Sequence, residues 1–219
     1  MESPLRAGAD TPGLKLIETA LWDGAACPRI AGHLARLSAS AASLGWPCDL
    51  DAARAALTGA PGQPARLRLT LDAGGLIEMT RAALPPTRPE WRLALAGTRL
   101  DADDPWLRLK TTRRASYDAA RAALSDGIDE AIFLNQRGEV CEGTITTLFF
   151  DRGQGLRTPP LSSGLLAGVL RAELLARGAC REEILMARDL PEVRLWVGNA
   201  LRGLIPARWG GSGAAKGAA

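Results

Sequence analysis

Histidine is almost absent from this chain: His33 is the only one in 219 residues. The four cysteines, at positions 27, 48, 141 and 180, include no Cys-x-x-Cys pair. Together these absences exclude a zinc site of the usual ligand spacing, and no metal is expected. Free thiols in a reducing cytoplasm are the simplest expectation for such cysteines. No apolar run is long enough to span a bilayer, and the first thirteen residues hold no apolar segment of the signal-peptide kind. Charge of one sign is lacking too. The net charge is +3 and the arginines are dispersed, so neither a nucleic-acid nor a membrane footprint is expected. No internal repeat is present.

What remains is an ordinary globular composition, 47% hydrophobic and 23% charged, long enough to bury a sizeable core. Leu14 to Trp22 alternates as a strand does, and Asp23-Gly24 turns it. Apolar residues at 34, 37, 41 and 44 have helical spacing, stopped by Gly45. Asp49 or Asp51 can cap a second helix over about 51–58. Arg66 to Leu71 alternates strictly, and Gly74-Gly75 leads into a hairpin partner at Leu76–Ala82. A further strand is expected at Trp91–Ala96, and later ones at Glu130–Asn135, Thr146–Phe150 and Leu195–Gly198. Helices are expected at Arg113–Leu124 and Gly168–Arg177. Strands mixed with helices, with early hairpins, argue for an α+β fold. Proline-rich 84–90 and the loop 101–105 place a boundary before Lys110. The expected division is a loose N-terminus (1–13), a small N-terminal lobe (14–100), a larger lobe (101–208) and a flexible tail (209–219) rich in Gly and Ser.

Three segments carry chemistry. The first is Leu109-Lys110-Thr111-Thr112-Arg113-Arg114, with Tyr117 and Asp118 behind it. The second is Gly138-Glu139-Val140-Cys141-Glu142-Gly143-Thr144. The third runs from Thr158-Pro159-Pro160 through Ser162-Ser163-Gly164 to Gly168-Val169-Leu170-Arg171. In this order they resemble the fold-type IV (class IV) pyridoxal-phosphate enzymes, and within them the 4-amino-4-deoxychorismate lyases. Ile17-Glu18-Thr19, His33-Leu34-Ala35-Arg36-Leu37 and Asn199-Ala200-Leu201-Arg202-Gly203 extend the likeness over roughly residues 14–208. The resemblance implies two small α/β lobes with pyridoxal 5'-phosphate at their interface, and a homodimer. It leaves aminodeoxychorismate synthase open as a partner.

The cofactor needs an amine for its aldehyde, a carboxylate for its pyridinium nitrogen and donors for its phosphate. Taken alone, Lys110 reads as a solvated lysine and Glu142 as a turn acid. The resemblance makes Lys110 the Schiff-base lysine, which also moves the proton at the substrate Cα, and Glu142 the partner of the ring nitrogen. Gly168 precedes a helix and joins Val169 and Leu170 in the proposed phosphate cradle, where the Val169 and Leu170 amides at the helix N-terminus make a natural phosphate site. Asn199 and Ala200 resemble a segment near that phosphate, and Arg36 a guanidinium that grips it. Toward substrate the candidates are Thr19, Arg99 and Thr144, with Arg66 and Arg68 beside Arg99 for carboxylates. His33 reads as a packed or capping residue rather than a general base.

The activity implied is lysis of aminodeoxychorismate to p-aminobenzoate and pyruvate. Branched-chain transaminases carry a tyrosine five residues after the lysine, where this chain has Ala115. Tyr117, two further on, is expected to point elsewhere. An aminotransferase of the same class, for branched-chain or D-amino acids, is the alternative, and a non-catalytic dimeric relic is an alternative of another kind.

Overall fold

The computed structural model describes residues 4–211. The chain folds as two compact units. One runs to Pro86 and regains Leu109–Arg113; the other comprises Thr87–Arg108 and everything from Arg114 on. The division differs from the expected 14–100 and 101–208 in two ways. Trp91–Leu100 belongs to the second unit, because it is hydrogen-bonded into that unit's sheet. The short piece carrying Lys110 belongs to the first, because it pairs with that unit's first strand.

The first unit is a three-stranded antiparallel sheet with helices. Strands β1 (Lys15–Trp22), β2 (Ala65–Asp72) and β3 (Ile77–Ala82) lie in that order. Helix α2 (Ile30–Leu44) packs on β1 and contributes His33, Leu34, Leu37 and Ala41 to the interior. Gly45, at φ 76°, ends it in a left-handed cap that Cβ-bearing residues rarely adopt. Asp49 caps α3 (Leu50–Ala56) by accepting from the Asp51 and Ala52 amides. Strict alternation in β2 turns Leu67, Leu69 and Leu71, all fully buried, to one face and Arg66 and Arg68 to the other. The expected loose N-terminus includes a helical turn, α1 (Pro4–Ala7), and Ala9 is buried.

The second unit is built on a mixed sheet in the order β10-β11-β4-β5-β6-β7-β8-β9. Its strands are β4 (Trp91–Leu100), β5 (Glu130–Asn135), β6 (Val140–Gly143), β7 (Thr147–Asp151), β8 (Arg157–Thr158), β9 (Arg181–Glu182), β10 (Arg194–Asn199) and β11 (Gly203–Trp209). An additional β10–β7 pairing closes the strands β4, β5, β6, β7, β10 and β11 into a ring. Its interior is apolar, with Leu93, Ile132, Val140, Leu148, Phe150, Leu195, Val197 and Ile205 in one cluster. Helices α4 (Ala115–Ala122) and α5 (Val169–Ala176) belong to this unit. Trp209, expected in the tail, is the last residue of β11; the rest of that tail from 212 lies outside the described residues. Among the described residues no helix is long and apolar enough to cross a membrane.

Candidate active site

In the first unit Lys110 is placed by backbone pairing. Its carbonyl accepts from the Ile17 amide at 2.8 Å, and the Thr112 amide donates to the Lys15 carbonyl at 2.9 Å. Leu16 and Thr111 are the bridge partners between these bonds. The Thr112 hydroxyl accepts from the Lys15 amide at 3.0 Å, which anchors the segment further. Leu16 and Thr111 are both buried, and side chains alternate along a strand, so Lys110 stands on the opposite face with Ile17. Register extends that face across the sheet: Thr19 is opposite Arg68, and Leu21 opposite Arg66. Lys110, Thr19, Arg66 and Arg68 therefore share one face. Neither arginine's side chain has a hydrogen-bond or ion-pair partner among the described residues, and the Arg66 Nε is buried without one.

The other face of the same sheet carries a buried polar cluster. Arg36 donates through Nε to Glu18 Oε1 at 2.8 Å and through Nη2 to Oε2 at 2.6 Å. His33 Nδ1 lies 2.7 Å from Oε2. Burial pushes the Glu18 carboxyl up, but the Arg36 charge and its hydrogen bonds, with those of His33, more than offset this and hold it below its ordinary value. His33 is fully buried, as expected of a packed histidine, and its Nε2 has no hydrogen-bond partner among the described residues. Two of Arg36's three guanidinium nitrogens are thus turned onto Glu18.

In the second unit Glu142 lies on β6, 6% exposed, and accepts from the Tyr117 hydroxyl at 2.8 Å. Sequence reasoning missed this contact. Helix α4 begins at Ala115, not near 113, so Tyr117 falls in its first turn and packs on Phe133. Cys141 donates its thiol to the Ser163 carbonyl at 3.1 Å. Burial pushes that thiol up to about 12, so it stays a neutral donor as a hydroxyl would.

Gly168 is the N-cap of α5, and no side chain caps the helix, so the Val169 and Leu170 amides open its N-terminus. A Cβ at Gly168 would meet Thr147 Oγ1 at 2.8 Å; only glycine leaves this cradle open. A buried carboxylate suits a protonated ring nitrogen, and an uncapped helix N-terminus suits a phosphate. This donor set fits pyridoxal phosphate, the cofactor that the resemblance implies.

Asn199 builds the turn between β10 and β11. Its Oδ1 accepts from the Leu201 and Arg202 amides at 3.1 and 3.0 Å, and its Nδ2 donates to the Ile145 carbonyl at 3.2 Å. Ala200 is buried within this turn. Two residues expected toward substrate have other partners. Arg99 donates to the Asn135 carbonyl at 2.7 Å. Thr144 is 2% exposed, and both its amide (3.0 Å) and its hydroxyl are bonded to Glu130. Glu130 is fully buried; burial raises its carboxyl despite the Thr144 and Thr146 hydroxyls. That network holds the loop between β6 and β7. A sequence shows Glu130 only as an acid at a strand start.

Residues 15–208 match the family model described as Amino-transferase class IV. A Schizosaccharomyces pombe protein named "Putative aminodeoxychorismate lyase" is 32% identical over 180 residues, which cover 77% of this chain and 76% of that one. A solved structure from Mesorhizobium loti, named "Putative amino-acid aminotransferase", is 45% identical with a TM-score of 0.83, covering 90% of this chain and 99% of its own. The structure of 4-amino-4-deoxychorismate lyase from Pseudomonas aeruginosa is 25% identical with a TM-score of 0.78, covering 95% and 87%. This chain belongs to the class IV aminotransferase family, a family of enzymes that work with pyridoxal 5'-phosphate.

Proposed function

We propose that this protein is a 4-amino-4-deoxychorismate lyase that releases p-aminobenzoate and pyruvate. The observation that carries the proposal is the face holding Lys110, Thr19, Arg66 and Arg68. A dicarboxylate substrate needs two cationic partners beside the group that removes its proton. Two arginines on the lysine's face, without side-chain partners among the described residues, supply them. A relative named as a lyase matches over most of both chains, which supports the same reading.

Bound, pyridoxal phosphate supplies an electron sink for the carbanion at the substrate Cα. Lys110 takes the Cα proton. Glu142 would pair with the protonated ring nitrogen. The amides of Val169 and Leu170, at the uncapped start of α5, would hold the phosphate. Arg66 and Arg68 orient the two carboxylates. In the net reaction the ether bond to the pyruvyl group breaks and the ring aromatises, so positioning and proton transfer are the protein's main tasks.

Transamination is the second reading, favoured by the 45% identity to the aminotransferase-named protein. The test is to supply aminodeoxychorismate to the cofactor-loaded enzyme and measure products. Equal amounts of p-aminobenzoate and pyruvate support the lyase. A keto acid and pyridoxamine phosphate, formed from an amino-acid donor with no p-aminobenzoate from aminodeoxychorismate, would replace it with the aminotransferase.

A further inference from the structure

We infer that Tyr117 is a positioning residue that acts on the cofactor through Glu142. The inference rests on the proposed role of Glu142 opposite the ring nitrogen. The phenol hydroxyl donates to Glu142 Oε1 at 2.8 Å. Its ring is fixed on two sides. Phe133 lies at a centroid distance of 4.9 Å and an angle of 57°, and the Arg114 guanidinium is 5.5 Å from the ring centre. Arg114 is itself held by Asp118 Oδ1 and the Thr144 carbonyl, both at 2.9 Å. The ring packs against the buried cluster of Leu100, Leu107, Phe133, Cys141 and Leu165. A hydroxyl held this way has little freedom, so it fixes the plane of the carboxylate it serves. A carboxylate 6% exposed also needs donors to remain charged, and Tyr117 is one. Burial and the Glu142 charge keep the phenol protonated, hence a donor.

The experiment compares wild type, Tyr117→Phe, Glu142→Gln and the double variant. Pyridoxal-phosphate dissociation constants are measured, with the pH midpoint of the bound cofactor's absorbance. Tyr117→Phe keeps the ring packing and is expected to weaken cofactor binding by roughly tenfold, the effect of one hydrogen bond to a charged group. It should also move the absorbance midpoint toward that of Glu142→Gln, and the double variant should lose no more than Glu142→Gln alone. A Tyr117→Phe protein that binds and titrates like wild type, beside an impaired Glu142→Gln, overturns the inference and leaves the role of Glu142 standing. Additive losses overturn it as well. No change in Glu142→Gln removes the underlying reading. Should Tyr117→Phe not fold, 3-fluorotyrosine labels the same site, because Tyr117 is the only tyrosine. Its fluorine line should move when the cofactor is added to wild type and stay still in Glu142→Gln; a line that stays still in wild type overturns the inference.

Discussion

Replacing Glu18 with glutamine keeps the side chain's volume and removes its charge. In the folded protein that charge meets three nitrogens: Arg36 Nε at 2.8 Å, Arg36 Nη2 at 2.6 Å and His33 Nδ1 at 2.7 Å. The Glu18 side chain is 2% exposed and that of Arg36 is 13% exposed. Breaking a fully buried pair by removing one partner costs about 3–5 kcal/mol. Arg36 keeps some access to water and glutamine still accepts one bond, so the lower end, about 3 kcal/mol, is expected. For a chain of this size that is a fall of about 6–12 °C in the melting temperature. Scanning calorimetry of the cofactor-free protein at pH 7 measures it. The carboxyl is held below its ordinary 4.5, so its contribution is complete above that pH and disappears as pH falls through the folded value. The gap between wild type and Glu18→Gln should therefore close in acid. A melting temperature within about 1 °C of wild type at pH 7 would refute the reasoning, because a loss near 3 kcal/mol cannot be so small.

Glu139 is held at about 2 by hydrogen bonds from Arg137, against some burial, with Asn135 and Ser163 adding to the effect. Its stabilisation is present above the ordinary 4.5 and is lost as pH falls toward 2, so Glu139→Gln should flatten the acid limb of urea-unfolding midpoints over that range. Gly168→Ala forces a Cβ against Thr147 Oγ1 and should weaken pyridoxal-phosphate binding tenfold or more, roughly 1.4 kcal/mol, in an equilibrium titration; pyridoxal without the phosphate should bind both proteins alike. Arg68→Ala and Arg66→Ala should each raise KM for aminodeoxychorismate by about ten- to a hundredfold, the effect of losing one charge-assisted bond, and leave cofactor affinity unchanged.

Much of the first unit was legible because its chemistry is periodic. Arg66 to Leu71 alternates without a break and forms β2, and the apolar residues at 34, 37, 41 and 44 form the inner stripe of α2. Strand β6 was not legible. Four residues are too few for alternation, and every one of them is buried, including Glu142. In β11 the obstacle is Pro206, which reads as a strand breaker yet is paired with Trp196. The choice of Lys110, Glu142 and Gly168 as site residues came from motif order. Their partners did not. Helix α4 starts two residues later than its expected start, which puts Tyr117 in the first turn, and its contact with Glu142 joins residues 25 apart that no local pattern links. The partners of Thr144 and Arg99 were hidden for the same reason. Exposure and partnering are set by residues distant in sequence, Glu130 and Asn135, which no local pattern reveals.

The most direct test of the site begins with the protein loaded with pyridoxal phosphate. It is reduced with borohydride and digested, and the pyridoxyl group is located by mass spectrometry. The chain has three lysines, Lys15, Lys110 and Lys216, so the assignment has few alternatives. The group is predicted on Lys110 alone, with no label in Lys110→Ala. A label on Lys15 or Lys216, or none on a protein that holds the cofactor, would contradict the placing of Lys110 at the centre of the chemistry.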